Sequence, residues 1–147
     1  MRRCNVLGLG LIGGSLASAL TAQGWRVTGS DARVDSEAEA LSLGLIQEIG
    51  IDDGAEISFV CTPVSSVVNQ VRIALQSSKG IVTDVGGVKA PVVAAIDDPR
   101  FVGGHPMAGS ELIGLQGADA QLFNNAVWVL TPSVTTPDSS FAVVANV

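Results

Sequence analysis

The sequence predicts an α/β fold, a doubly wound and mainly parallel sheet with helices on both faces. Three observations carry this expectation. Short apolar runs of strand character alternate with helical runs along the chain. A glycine-rich turn joins the first apolar run to the first helical one. The length, 147 residues, is that of one domain. Strands alternating with helices make βαβ units, with parallel strands and right-handed crossovers.

Each element follows from a local signal. Residues 4–9 read as a buried strand that runs straight into glycines. Residues 12–23 read as a helix, and Gly24 sits where a left-handed residue ends one. Residues 26–30 make a second strand, ending at Asp31. Ser36 and Glu39 have the spacing of a capping box and open a short helix that Gly44 stops. Residues 56–61 make a strand closed by Thr62 and Pro63. Residues 65–76 make a helix with Ser65 or Ser66 as N-cap, and Val67, Val68, Val71 and Leu75 fall on one face. Residues 81–85 are a strand, 89–96 a helix, 101–104 a short strand and 126–130 the last strand. Thr136 before Pro137 resembles an N-cap followed by proline at the first helical position, and the helix it opens runs off the end at Val147. Residues 105–125 show no clear period. Long loops in compact domains are usually functional or disordered.

Composition narrows the function. Eight basic residues against fourteen acidic give a net charge of −6. That balance argues against nucleic acid, whose phosphates need a basic footprint, and against an anionic membrane surface. Apolar residues make up 47%, too many for disorder. Cys4 and Cys61 lie far apart in apolar runs, and there is one histidine. No zinc site or disulfide framework is expected, and the cysteine usage suits a reducing cytoplasm. Met1-Arg2-Arg3 before small apolar residues imitates a signal peptide, but Gly8, Gly10, Gly13 and Gly14 break the stretch. No apolar run approaches the roughly 18 residues of a membrane span.

Those glycines spell GxGxxG from Gly8 through Gly10 to Gly13, with Leu11 and Ile12 between, at a strand-to-helix junction. Gly8 permits a tight turn, Gly10 lets backbone approach a pyrophosphate, and Gly13 lets helix and strand pack closely. Open N–H groups and the helix dipole then hold the anion. Asp31, eighteen residues after Gly13, can accept hydrogen bonds from an adenosine ribose diol. The pattern predicts a Rossmann-type nucleotide site. A carboxylate at Asp31 repels a 2′-phosphate and favours NAD. Arg33 could instead pair with that phosphate and admit NADP, or be a solvated loop cation.

His105, the sole histidine, follows a predicted strand end between Gly103-Gly104 and Pro106. Ligands of open α/β sheets lie beyond the carboxyl ends of strands. An imidazole there can take a proton from a substrate hydroxyl as hydride leaves the carbon. The alternative is a satisfied structural histidine. Two other loops leave strand ends on that side. Cys61, Thr62, Pro63 and Val64 could line the nicotinamide and its ribose, or simply enter a helix. In the stretch Thr83 to Lys89, Asp84 could be a buried acceptor that organises the loop beside the cofactor. Lys89 could be a substrate-facing cation or a solvated lysine.

At these residues the chain resembles the nucleotide-binding half of prephenate/arogenate (cyclohexadienyl) dehydrogenases of tyrosine biosynthesis. The resemblance is carried by GLGLIGGSLA from Gly8, the Asp31 turn, CTPV from Cys61, TDVGGVK from Thr83, FVGGHPMAGSE from Phe101, the pair Leu122-Phe123, and WVLTP from Trp128. It implies oxidative decarboxylation. NAD, or NADP, takes a hydride from the ring carbon bearing the 4-hydroxyl, the ring carboxylate leaves as CO₂, and the ring becomes aromatic. His105 matches the family's catalytic histidine. Gly87, Lys89, Ser110 and Glu111 fall on the substrate side, and Asp84 on the cofactor side. The resemblance also implies a cytoplasmic homodimer with a further helical domain; the chain stops before that domain, so it reads as a fragment cut inside its last helix, or as one whose second domain comes from elsewhere.

One departure stands out. Gly87 occupies a position where the family commonly has serine, which removes one hydroxyl from the site. Of the eight cations, Lys89 alone lies in a loop expected to face the reacting carbon, where a dicarboxylate wants bidentate arginine partners. Two alternatives follow: a related reductase of another small acid or imine, and a nucleotide-binding module without turnover.

Overall fold

The computed structural model describes residues 1–147. The chain forms one seven-stranded sheet in the order β3-β2-β1-β4-β5-β6-β7. The strands are β1 (Arg3–Leu7), β2 (Arg26–Ser30), β3 (Glu48–Ile49), β4 (Ile57–Val60), β5 (Ile81–Asp84), β6 (Phe101–Pro106) and β7 (Trp128–Thr131). The helices are α1 (Leu11–Ala22), α2 (Val34–Ser42), α3 (Val67–Ser77), α4 (Ala90–Ala95) and α5 (Asp138–Ala145). Every pairing is parallel except β6 with β7. This is the doubly wound Rossmann-type architecture expected from the sequence.

Alternation along the central strands builds a core on each face. Val6, Phe59 and Val102 point to the α1 side, where they join Leu16, Leu20, Trp25 and Val144. Their neighbours Leu7, Val60 and Phe101 point the other way, onto Val67, Val71 and Ala74 of α3 and Val92 of α4. Period-two alternation on strands sandwiched between helix layers requires apolar side chains on both faces. That is why these runs read as continuously apolar. Asn5 is the exception inside β1. Its Nδ2 donates to Ser58 Oγ at 2.9 Å and to the Asp52 carbonyl at 3.0 Å, and Ser58 meets Ser78 at 3.2 Å. A buried polar group is tolerated when it is hydrogen-bonded in this way.

Several elements differ from the sequence expectation. The Ser36–Glu39 capping box does not form. Helix α2 starts at Val34 with Arg33 as N-cap and no side-chain cap, so that Ser36 lies inside the first turn and not at its cap, and Glu37 turns back to accept from the Asp31 N–H at 3.0 Å. Neither Ser65 nor Ser66 caps α3 with its side chain; a 3-10 turn at Val64–Ser66 leads in instead. Helix α5 begins one residue late, with Pro137 as N-cap, since Thr136 Oγ1 accepts from Ser133 N at 2.8 Å. The same helix ends at Ala145 rather than running to Val147. Strand β3 carried no sequence signal, being two residues at the sheet edge. The signal at Gly24 was sound: it has φ +84° just beyond α1.

Strand β6 is two residues longer than expected, which matters for function. Phe101 and Val102 pair with β5, and Gly103 to Pro106 then pair with the antiparallel strand β7. His105 therefore lies within the strand, opposite Val129, and not after its end. The ladder to β7 continues past the carboxyl end of β5 and holds the imidazole beyond it.

Candidate active site

The sheet order reverses between β1 and β4, and the glycine turn sits at that switch point. Gly8 has φ +97°, and a Cβ on it would stand 2.7 Å from the Cys61 carbonyl oxygen. A Cβ on Gly13 would overlap the Gly8 carbonyl oxygen itself. Both positions require glycine for close approach. Gly10 is exposed and faces open space. It is the N-cap of α1 and offers no side chain, and the first turn holds no acid. The first intrahelical bond runs from Gly14 N to Gly10 O. The N–H groups of Leu11, Ile12 and Gly13 thus lack helical partners, and the positive end of α1 is available to an anion.

Asp31 ends β2 beside this turn. Its Oδ2 accepts from Leu9 N at 2.7 Å and its Oδ1 from Arg33 N at 2.8 Å. The carboxylate is fixed by the glycine turn it serves, and each oxygen keeps a further lone pair for a hydroxyl. The Arg33 guanidinium is exposed, and no hydrogen bond or ion pair holds it. Across the switch point, Cys61, Thr62, Pro63 and Val64 leave β4. Cys61 N donates to Leu7 O at 2.6 Å, which locks this loop to β1. Thr62 Oγ1 is buried without a partner beside Gly8. A buried, unpartnered hydroxyl on the segment whose backbone packs against this glycine turn, together with the free helix N-terminus that the turn opens, fits a nucleotide. Burial pushes the Cys61 thiol up, and the Asp84 charge adds to the shift, so the sulfur stays protonated and is no nucleophile.

Three strand spacings along, roughly 14 Å by the usual sheet dimensions, His105 reaches the same carboxyl edge. It is half-buried. The loop after β5 closes over it: a Cβ on Gly87 would lie 3.4 Å from Nε2 and 3.5 Å from Cε1. Nε2 therefore faces a position with no side chain. Asp84 is fully buried behind this loop. Its Oδ1 accepts from Gly104 N at 3.2 Å, its Oδ2 from Gly86 N at 3.0 Å, and Lys89 Nζ pairs with Oδ2. The Lys89 expectation needs correcting in one respect. Its side chain is only 13% exposed and its charge is turned inward onto Asp84, not outward into the cleft.

Ser110 and Glu111 are exposed, and no hydrogen bond or ion pair links them to His105 or Lys89. Ser110 Oγ accepts from Leu112 N at 3.1 Å in its own turn. The sequence reading gave Gly14 no packing role. A Cβ there would lie 2.7 Å from Leu115 Cδ2, and next to it Ser15 Oγ accepts from Asp119 N at 2.9 Å. The aperiodic stretch is thus docked on α1 at the floor of the nucleotide site. The doubled glycine at 13–14 was its one visible signal. No group of three or more His, Cys, Asp or Glu could hold a metal. No helix is long and apolar enough to cross a membrane.

A sequence model of the family described as "Prephenate dehydrogenase, nucleotide-binding domain" matches residues 16–147. The prephenate dehydrogenase of Bacillus subtilis is 37% identical over 145 residues, covering 88% of this chain and 39% of that protein. Among solved structures, Synechocystis arogenate dehydrogenase aligns with a TM-score of 0.88 at 33% identity, covering 98% of this chain and 55% of the other. Prephenate dehydrogenase from Aquifex aeolicus, solved with hydroxyphenyl propionate and NAD+, aligns with a TM-score of 0.90 at 27% identity, covering 99% and 56%. The chain spans two fifths to little more than half of these relatives. By the family match, the chain belongs to the prephenate dehydrogenase family, as its nucleotide-binding domain.

Proposed function

We propose that this protein oxidises prephenate, or its amino analogue arogenate, with NAD as hydride acceptor and loss of the ring carboxylate as CO₂. The observation that carries the reading is the shared edge. The imidazole of His105 and the glycine cradle stand on the same carboxyl side of one sheet, with Nε2 facing the bare Gly87. When bound, the nicotinamide supplies the hydride acceptor. The chain's residues do the rest. Gly8, Gly10 and the first turn of α1 hold the pyrophosphate, and Asp31 takes the ribose hydroxyls and disfavours a 2′-phosphate. His105 accepts the proton of the 4-hydroxyl as that carbon is oxidised. The ring-to-carboxylate bond breaks, its electron pair completes the aromatic ring, and the ring oxygen takes the proton back from His105 to become the phenol. Because aromatisation drives the step, alignment is the main demand on the protein. The same reading makes it a cytoplasmic homodimer, which cell fractionation and light scattering test.

His105→Asn tests the proposal. Turnover of prephenate is expected to fall about 10²–10⁴-fold while NAD affinity stays within about threefold. Unaltered turnover removes His105 from the chemistry. One observation favours a second reading, a nucleotide holder without turnover: Lys89 spends its charge on Asp84, which leaves no loop cation for a substrate carboxylate. That reading expects calorimetric NAD binding and no hydride transfer with either prephenate or arogenate.

A further inference from the structure

We infer that the buried Asp84–Lys89 ion pair is the positioning device for His105, and that Lys89 acts through Asp84 and not on the substrate. This rests on the reading of His105 as proton acceptor.

Asp84 is the only fully buried charged residue in the chain. Of the five ion pairs, this is the only one with both side chains largely out of water, at 0% and 13% exposure. Such a pair contributes little to net stability, because desolvating both charges offsets their attraction. Its geometry points to another role. The carboxylate joins two segments that meet at the imidazole. One oxygen holds Gly104, the residue before His105; the other holds Gly86, the residue before Gly87.

Two glycine pairs close around the ion pair. A Cβ on Gly103 would stand 3.3 Å from Lys89 Cδ, and one on Gly104 only 2.8 Å from the Asp84 carbonyl. A Cβ on Gly86 would stand 3.2 Å from Asp84 Oδ2. The backbone on both sides of the imidazole is thus drawn onto one carboxylate. Lys89, five residues along the same loop, neutralises that carboxylate through a stem that lies against β6. Without the ammonium, a lone buried anion would have to reach water or take up a proton. Either change releases Gly86 or Gly104, and with it the registration of Gly87 against Nε2.

His105 is the only histidine, so its imidazole protons give single resonances. A nuclear Overhauser contact between that ring and the Gly87 α-protons is expected in the native chain. Lys89→Met, which keeps the stem and drops the charge, is expected to abolish it, and Lys89→Arg to retain it. Asp84→Asn is the second variant, in case the first does not fold. It keeps an acceptor for Gly104 but loses the one at Gly86, and the contact is expected to vanish there too. In prephenate turnover, Lys89→Met should lower kcat about tenfold or more with KM within about threefold, the pattern of lost transition-state alignment. A contact that persists in both variants, or a raised KM at unchanged kcat, overturns the proposal. The resonance measurement reports on the pair alone, whereas a fully active His105→Asn would sink the reading of His105 and leave that measurement standing.

Discussion

Gly13 has no room for one more carbon, since a Cβ would run into the carbonyl oxygen of Gly8. Gly13→Ala must push the turn apart and displace the free N–H groups at the start of α1. The expected outcome is a loss of NAD affinity of about a hundredfold or more, read by calorimetry, with about 1–3 kcal/mol of destabilisation from overpacking. Affinity within threefold of the parent would show that the turn does not bear the cofactor. Residues of this kind are legible in a sequence, because glycine spacing reports a steric fact about backbone. Lys89 is not. Whether a lysine faces water or a buried acid depends on what the fold places under it. Here that is the Asp84 carboxylate, five residues away in the loop and brought within reach by the turn at Gly86.

Elements show the same division. The apolar runs mark β1, β4 and β5 to within two residues, because burial on both faces demands unbroken apolar side chains. The end of β6 was misread. Gly-Gly-His-Pro looks like a loop, and only the antiparallel neighbour β7 extends pairing through it. The aperiodic stretch after β6 gave no signal for its docking on α1, where Leu115 fills the space over Gly14 and is 7% exposed. Leu115→Ala is expected to cost about 2–4 kcal/mol in chemical denaturation, typical of a buried leucine. A change below about 1 kcal/mol, within the range of a surface substitution, would mean the segment is not packed there.

Across the whole molecule, two cores on opposite faces of one sheet leave the strands between them dry. Cys4 lies in that dry layer, and burial pushes its thiol up to about 12 from 9.0, with the Glu56 charge adding to the shift and Arg2 opposing it. Below pH 9 the thiol is protonated in folded and unfolded chains alike, and the contribution is intact. Above it the unfolded chain releases the proton and the folded chain does not, so stability falls as pH rises towards 12. The expected slope from this group is about 1.4 kcal/mol per pH unit. Urea unfolding of the parent and of Cys4→Ala across this range checks it. The variant starts less stable but should lose stability less steeply, and equal slopes would refute the assignment.

The sequence alone determined the alternation of strands and helices apart from β3, the glycine turn with the acid that follows it, and the presence of a single imidazole. These are properties of neighbours along the chain: periodicity, turn sterics and residue type. Tertiary structure decided that Lys89 faces Asp84, that His105 stands inside a strand, and that Leu115 and Asp119 dock on α1. Each joins groups whose meeting depends on how loops and strands come together in space, or turns on which way a side chain faces. Hydrophobic spacing fixes which face of an element is buried, but it does not say what lies across from it.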